Sequence, residues 1–328
     1  MENSMCKIAK NLRFKRLSAM SLWVAVLALT VSCAKKIEKI DNYEVLELPV
    51  DGQIRDLLLE GDSLWIVGGN HGSPFFLNYH ISRGEFRIID VGDFPDIYSI
   101  SRNGDGFYLG LETSDLLIVD GNLNVIPHYT EEKYWINQQH KQPLRDAVVA
   151  DSLHIFVGGG DLRFGVIRKG LEDVQFVQSE YMNDLRGIAQ NDKWMYVVGN
   201  GIILRSGDNG ETWERRETTP AFYTSMIFDE TGRFGYMCTF NGDIYSSDDY
   251  GQSWDRSAKA RKFFRDGFFL ERMAYTDLAV GHNGSVALWS GDEWQFEMLD
   301  VEDDFYDAAK FGNRTYFGGS GRLIVTTN

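Results

Sequence analysis

Short apolar runs that end in glycine recur along the chain, each followed by a second apolar run. The first column reads Trp65-Ile-Val-Gly68, Phe107-Tyr-Leu-Gly110, Ile155-Phe-Val-Gly158, Tyr196-Val-Val-Gly199, Tyr236-Met-Cys-Thr239, Leu278-Ala-Val-Gly281 and Thr315-Tyr-Phe-Gly318, at intervals of 42, 48, 41, 40, 42 and 37 residues. Runs this short, rich in Val, Ile, Leu and aromatic residues and bounded by turn formers, predict β-strands. Behind them come Phe75–Tyr79, Leu116–Val119, 165–168, Ile202–Leu204, 244–246, Val286–Trp289 and Leu323–Val325. Weaker outer strands are expected near Phe86–Ile89, Val125, 175–177, Trp213, Trp254 and Trp294.

Four strands in a unit of about 40 residues predict a β-propeller, since one such unit buries a face only against its neighbours. The expectation is an all-β fold over 42–328: seven blades of four antiparallel strands. The last repeat has no outer strand of its own before Asn328. Tyr43–Leu48 alternates as a strand and is expected to complete that blade, which also covers the terminal edge.

A second column stands at the start of each innermost strand: Ile54-Arg55-Asp56, Ile97-Tyr98-Ser99, Leu144-Arg145-Asp146, Leu185-Arg186-Gly187, Phe222-Tyr223-Thr224, Phe264-Arg265-Asp266 and Phe305-Tyr306-Asp307. In a propeller these residues surround the mouth of the central channel. The expected rim is therefore Arg55, Tyr98, Arg145, Arg186, Tyr223, Arg265 and Tyr306. Arginine offers a planar fork for carboxylate or phosphate, and tyrosine a flat face with a hydroxyl. The competing reading is structural: Asp56, Asp146, Asp266 and Asp307 could neutralise the arginines of neighbouring blades, because adjacent strand residues face opposite ways.

The most recognisable string is Gly199–Trp213, whose turn has Ser206, Asp208, Gly210, Thr212 and Trp213; it recurs as Ser247, Asp249, Gly251, Ser253 and Trp254. This spacing matches the Asp-box, or BNR repeat. Its residue types serve turns: Ser and Asp accept hydrogen bonds from amides, glycine supplies an unusual φ, and tryptophan packs. A structural role on the outer hairpin is expected. Ser290-Gly-Asp-Glu-Trp294 looks like a shortened relative.

The fourth repeat, Leu185-Arg-Gly-Ile through Trp213, resembles a repeat of the photosystem II assembly/stability-factor-like BNR propellers. That resemblance implies an exported or lipid-anchored, non-catalytic binding scaffold with an arginine-rich patch, matched here by Arg55, Arg145, Arg186 and Arg265. Sialidases and other BNR glycoside hydrolases are the runner-up, on the Asp-box and the abundance of Arg, Tyr and Asp near the expected mouth. A sialidase needs an arginine clamp, a tyrosine nucleophile paired with a glutamate, and an acid/base aspartate. A surface glycan-binding lipoprotein, with exposed aromatics such as Trp135 stacking on sugars, is the third reading.

Charge and composition narrow the partners. The chain has 328 residues, is 43% hydrophobic and 13% aromatic, and carries a formal charge of −15. Such acidity disfavours nucleic acid, which needs a basic surface. The positive charge collects at Lys7, Lys10, Arg13, Lys15 and Arg16, ahead of an apolar stretch from Leu17 to Val31. This is the layout of a signal peptide. Leu29-Thr-Val-Ser-Cys33 resembles a bacterial lipobox, so the expectation is a signal over 1–32, a lipidated Cys33 with a linker over 33–41, and a monomer anchored in the bacterial envelope, preferably at the outer membrane. Only Cys238 then remains in the body, in an apolar run that predicts a buried thiol and no disulfide.

Signals for other chemistry are weak. The six histidines are dispersed without ligand spacing, and neither a phosphate-binding glycine loop nor a Gly-x-Ser-x-Gly elbow occurs. No metal, cofactor or catalytic residue is assigned. The insertion Tyr134–His140 is expected to lie over one face.

Overall fold

The computed structural model describes residues 37, 39–128, 143–150, 153–158, 163–168, 174–178, 184–216, 220–260, 263 and 266–327. Cys33 with its signal segment, the Tyr134–His140 insertion, Trp135 and Arg265 lie outside these residues.

Strands dominate, and among the described residues five of the sheets are runs of four consecutive antiparallel strands. Among the described residues six sheets are four-stranded, spanning 53–89, 97–128, 144–178, 185–216, 223–258 and 308–327, the last completed by Glu44–Glu47. Seven four-stranded antiparallel blades were expected; there are six. The remaining sheet, 272–299, has five strands and is mixed, because Lys39–Ile40 pairs parallel to Trp294–Leu299. Two residues carry no readable alternation, so this strand is indistinguishable from linker in the sequence. Its hold is local: Asp300 N donates to Ile40 O at 2.7 Å, and Lys39 Nζ lies 2.6 Å from Asp300 Oδ1. The pairing covers an edge that would otherwise present unpaired amides.

Glu44–Glu47 runs antiparallel to Arg322–Thr327, with Val45 opposite Ile324 and Leu46 opposite Leu323. Neighbouring sheets pack face to face. Val67 and Phe76 of one sheet meet Ile97, Phe107 and Leu109 of the next, and Ile54 and Leu64 meet Ala309, Tyr316 and Leu323, which joins the first sheet to the last. Phe107 lies 4.6 Å from the Trp65 ring and 5.4 Å from Phe76. A fully buried ring of this kind contributes about 1.5–3 kcal/mol. Together the sheets form a β-propeller.

The recurring strand-end glycine has a packing cause. A Cβ at Gly199 would run into the carbonyl oxygen of Asp184, and one at Gly68 into that of Gln53. Asp184 stands just before an innermost strand and Gln53 is the first residue of one, where the backbones approach too closely for any side chain.

The two Ser-x-Asp-x-Gly turns are hydrogen-bonded alike. Ser206 Oγ donates to Asp208 Oδ1 (2.8 Å) and accepts from Gly210 N (2.8 Å), while Trp213 Nε1 donates to Gly210 O (3.0 Å). Ser247, Asp249, Gly251 and Trp254 repeat this at 2.8, 2.9 and 3.0 Å. Both turns lie between the third and fourth strands of their sheets, away from the channel. Among the described residues no helix is long and apolar enough to cross a membrane.

Candidate functional site

The innermost strands begin with a register shift. One extra residue is inserted between Ile54 and Asp56, Ile97 and Ser99, Leu144 and Asp146, Leu185 and Gly187, and Tyr223 and Ser225. The inserted residues are Arg55, Tyr98, Arg145, Arg186 and Thr224. A bulge of this kind re-aims one side chain, and here it turns these five to the channel mouth. Glu271 and Tyr306 line the same cavity, as do Asp146, Ser225 and Arg272, and its volume is about 40 Å³.

Two members of the expected rim change. Tyr223 is fully buried in the apolar core, and Thr224 occupies the bulge instead. The 223–258 hairpin is longer than its counterparts, so the tripeptide at the bulge is Tyr223-Thr224-Ser225, one residue later than expected. In the 272–299 sheet the innermost strand is Arg272–Tyr275, and Leu270-Glu271-Arg272 stands where Phe264-Arg265-Asp266 was expected. Asp266 is exposed ahead of that strand, and Arg265 lies outside the described residues. Spacing marks the expected tripeptide as out of place but does not locate Leu270, which stands eleven positions before Gly281. Fourteen positions separate Ile54 from Gly68, Leu144 from Gly158 and Leu185 from Gly199, whereas seventeen separate Phe264 from Gly281.

The mouth holds three arginines, answered by Glu271 and by Asp184, whose Oδ2 lies 3.9 Å from Arg186 Nη2. Arg55 stacks between Tyr98 and Tyr306, its Cζ 4.7 and 4.5 Å from the ring centroids, and Arg186 lies 4.9 Å from the Phe222 ring. Arg186 Nη1 donates to Glu271 Oε1 at 3.1 Å. His282 bridges Glu271 and Asp304, at 3.5 and 3.1 Å. Burial opposes its charge, but the hydrogen bonds to Asp304 and Glu271 prevail and bring its pKa up to about 9. Burial likewise disfavours the charge on Glu271, yet His282 and Arg186 hold its carboxyl below the usual range. Arg145 is lowered, by burial first and by the charge of Arg186 second. The Nε atoms of Arg55, Arg145 and Arg186 are all buried, with no hydrogen-bond partner among the described residues.

One residue deeper lies a second ring, and its charges are inverted. Arg272 Nη2 is 3.4 Å from Asp56 and 3.3 Å from Asp146, and its Nε is 3.2 Å from Asp307. The competing reading, in which these aspartates pair with the rim arginines, is not seen among the described residues. Each carboxylate instead also accepts an amide from the next sheet: Ile100 N to Asp56 (2.9 Å), Ile188 N to Asp146 (3.1 Å) and Leu57 N to Asp307 (3.1 Å). They latch neighbouring sheets around the channel. Burial drives the Asp56 pKa up to about 8 against the pull of Arg272, and raises Asp146 too. Arg272 parts the small outer cavity from a wider chamber of about 570 Å³ lined by the innermost strands. Glu271-Arg272 thus reverses the Arg-Asp order of residues 55–56 and 145–146, and one sheet supplies the counter-charge to both rings.

Among the described residues no cluster of His, Cys, Asp and Glu could hold a metal ion. Cys238 is buried, 3.2 Å from Thr224 Oγ1, and burial pushes its thiol up to about 12.

The search against protein-family models and the search of curated proteins returned no match. Solved structures do match in fold. YCF48 bound to D1 peptide superposes with a TM-score of 0.64 at 14% identity, over 89% of this chain and 98% of that one. YCF48 from Cyanidioschyzon merolae gives 0.63 at 13%, over 87% and 98%. The WD40 β-propeller domain of Doa1 gives 0.63 at 12%, over 88% and 98%. These likenesses establish the propeller fold.

Proposed function

We propose that this chain is an exported, lipid-anchored scaffold without catalytic activity, and that its channel mouth captures a carboxylate presented by a protein partner. One observation carries the reading: three arginines converge on a small cavity with their buried Nε donors unpartnered. An unmade hydrogen bond on a buried donor costs about 1–3 kcal/mol, more when the group is charged, and Arg145 and Arg186 also repel each other. An arrangement so poor for stability is what a recognition site keeps. A cavity of about 40 Å³ has room for a carboxylate. A propeller of similar fold, YCF48, has been solved with a peptide bound. The anchor at Cys33 and an outer-membrane location complete the proposal.

Affinity capture from detergent-solubilised envelopes tests it. The wild type should retain a partner that the Arg145→Ala/Arg186→Ala double variant releases, with the unfolding midpoint of the variant no lower. Equal capture by both would sink the reading. Detergent phase partition checks the anchor: the wild type should enter the detergent phase and Cys33→Ala should not.

The glycoside hydrolase reading has the arginines in its favour. Against it, burial raises the Tyr306 hydroxyl, where a nucleophile needs it lowered, and Glu271 is engaged by Arg186 and His282. No turnover of a fluorogenic sialoside is expected.

A further inference from the structure

The shortened turn Ser290–Trp294 makes something its longer relatives do not. In the eight-residue versions the tryptophan folds back, and its indole N–H donates to a glycine carbonyl of its own loop. Five residues cannot form that loop. Ser290 closes the turn by itself, its Oγ donating to Glu293 O (2.8 Å) and accepting from Glu293 N (3.2 Å). Trp294 is left with a buried Nε1 that has no partner among the described residues. Its ring turns instead to the neighbouring sheet. It meets Tyr236 edge-on at 5.9 Å and lies 5.7 Å from Trp289, its cross-strand partner.

The result is a groove of about 340 Å³ between the 223–258 and 272–299 sheets. Trp289 and Phe234 form part of its wall and are large apolar side chains left 36% and 42% exposed. Serine hydroxyls, among them those of Ser246 and Ser257, and the carboxylates of Asp248 and Asp255 line much of the rest, and among the described residues no arginine or lysine lines it. The size suits a small ligand. The chemistry restricts its class. Exposed aromatic faces take an apolar surface, while serine hydroxyls and carboxylates accept hydrogen bonds from hydroxyl donors. An apolar peptide would bury the two carboxylates unpaired, at considerable cost. An anion would meet the carboxylates of Asp248 and Asp255, with Arg233 occupied against the Phe234 ring (5.3 Å) and Asp248 O (2.9 Å). A sugar ring satisfies both demands, with C–H faces for the rings and hydroxyls for the carboxylates.

We propose that this groove binds a neutral, hexose-containing oligosaccharide. The site is separate from the channel mouth and does not depend on the carboxylate-capture reading. Its test is a tryptophan-fluorescence titration of the full chain in detergent with cellohexaose, laminarihexaose, maltohexaose and mannohexaose, and with 3′-sialyllactose as the charged control. At least one neutral hexaose should bind, and Trp289→Ala, at an exposed position, should weaken it by about tenfold or more. Trp294→Phe should weaken it while keeping the fold. Sialyllactose should not bind, and Arg145→Ala/Arg186→Ala should bind the hexaose as the wild type does. Three results would each overturn the proposal: no neutral hexaose binding up to about 10 mM, undiminished binding by Trp289→Ala, or loss of sugar binding in the arginine variant. A Trp289→Ala variant that turns a dimer into a monomer, with no sugar bound by either form, would also overturn it and assign the groove to a second copy of the chain.

Discussion

Arg272 reaches Asp146 from 126 positions further along the chain, its Nη2 3.3 Å from the carboxylate Oδ1. The same guanidinium also faces Asp56 and Asp307, so one cation serves three buried carboxylates drawn from three sheets. Arg272→Met would keep the volume and remove the charge. Breaking a buried pair by deleting one partner costs about 3–5 kcal/mol, so urea unfolding at pH 7 should show a loss of that order. The loss should be larger at pH 9, above the folded pKa of about 8 at which Asp56 ionises beside Arg272. Equal losses at both pH values would mean that Arg272 acts through packing alone.

Two groups predict a fall of stability toward alkaline pH. Asp56 has a folded pKa of about 8, above its unfolded value near 3.8, so the folded state holds its proton more tightly. Its contribution is complete below pH 4 and is lost as pH rises through 8. His282, at about 9 against 6.5, contributes fully below pH 6.5 and loses that contribution through pH 9. Asp56→Asn mimics the protonated carboxyl and should flatten the decline between pH 4 and 8 in thermal melts while leaving the later one. An unaltered pH profile in the variant would refute the assignment to Asp56.

Arg145 sits in a mouth where like charge and burial both work against it. Arg145→Met should therefore raise stability, by about 0.5–2 kcal/mol as removal of an uncompensated functional charge commonly does, while lowering partner capture. A clear loss of stability would show that the guanidinium is a structural member of the ring.

Cys238 should be inert in the native protein. Its thiol is inaccessible, and burial lifts its pKa to about 12, which leaves almost no thiolate at neutral pH. A thiol reagent should modify it only at the rate of unfolding. Fast labelling at pH 8 would contradict the burial.

The sequence by itself determined the repeat. Apolar runs at intervals near 40 residues, a glycine where two backbones nearly touch at Gly68 and Gly199, and turns such as Ser206–Trp213 are local requirements of the strands and hairpins, so they are written locally. The tripeptides that start the innermost strands were legible too, because Arg55, Tyr98, Arg145, Arg186 and Tyr306 reach the mouth as their column suggested. What the column could not say is which residue of each tripeptide faces which ring. That depends on a one-residue bulge and on hairpin length, and a slip of one residue sends a side chain to the other face of a strand. It placed Tyr223 in the core and Thr224 at the mouth, and it made Glu271-Arg272 the charge-reversed member of the set. The fifth strand at Lys39–Ile40 is two residues long and exists only because a sheet edge lay open beside it. The tertiary structure alone decided that Asp56, Asp146 and Asp307 answer to one arginine, since that pairing joins residues far apart in the chain and leaves no trace in any one repeat.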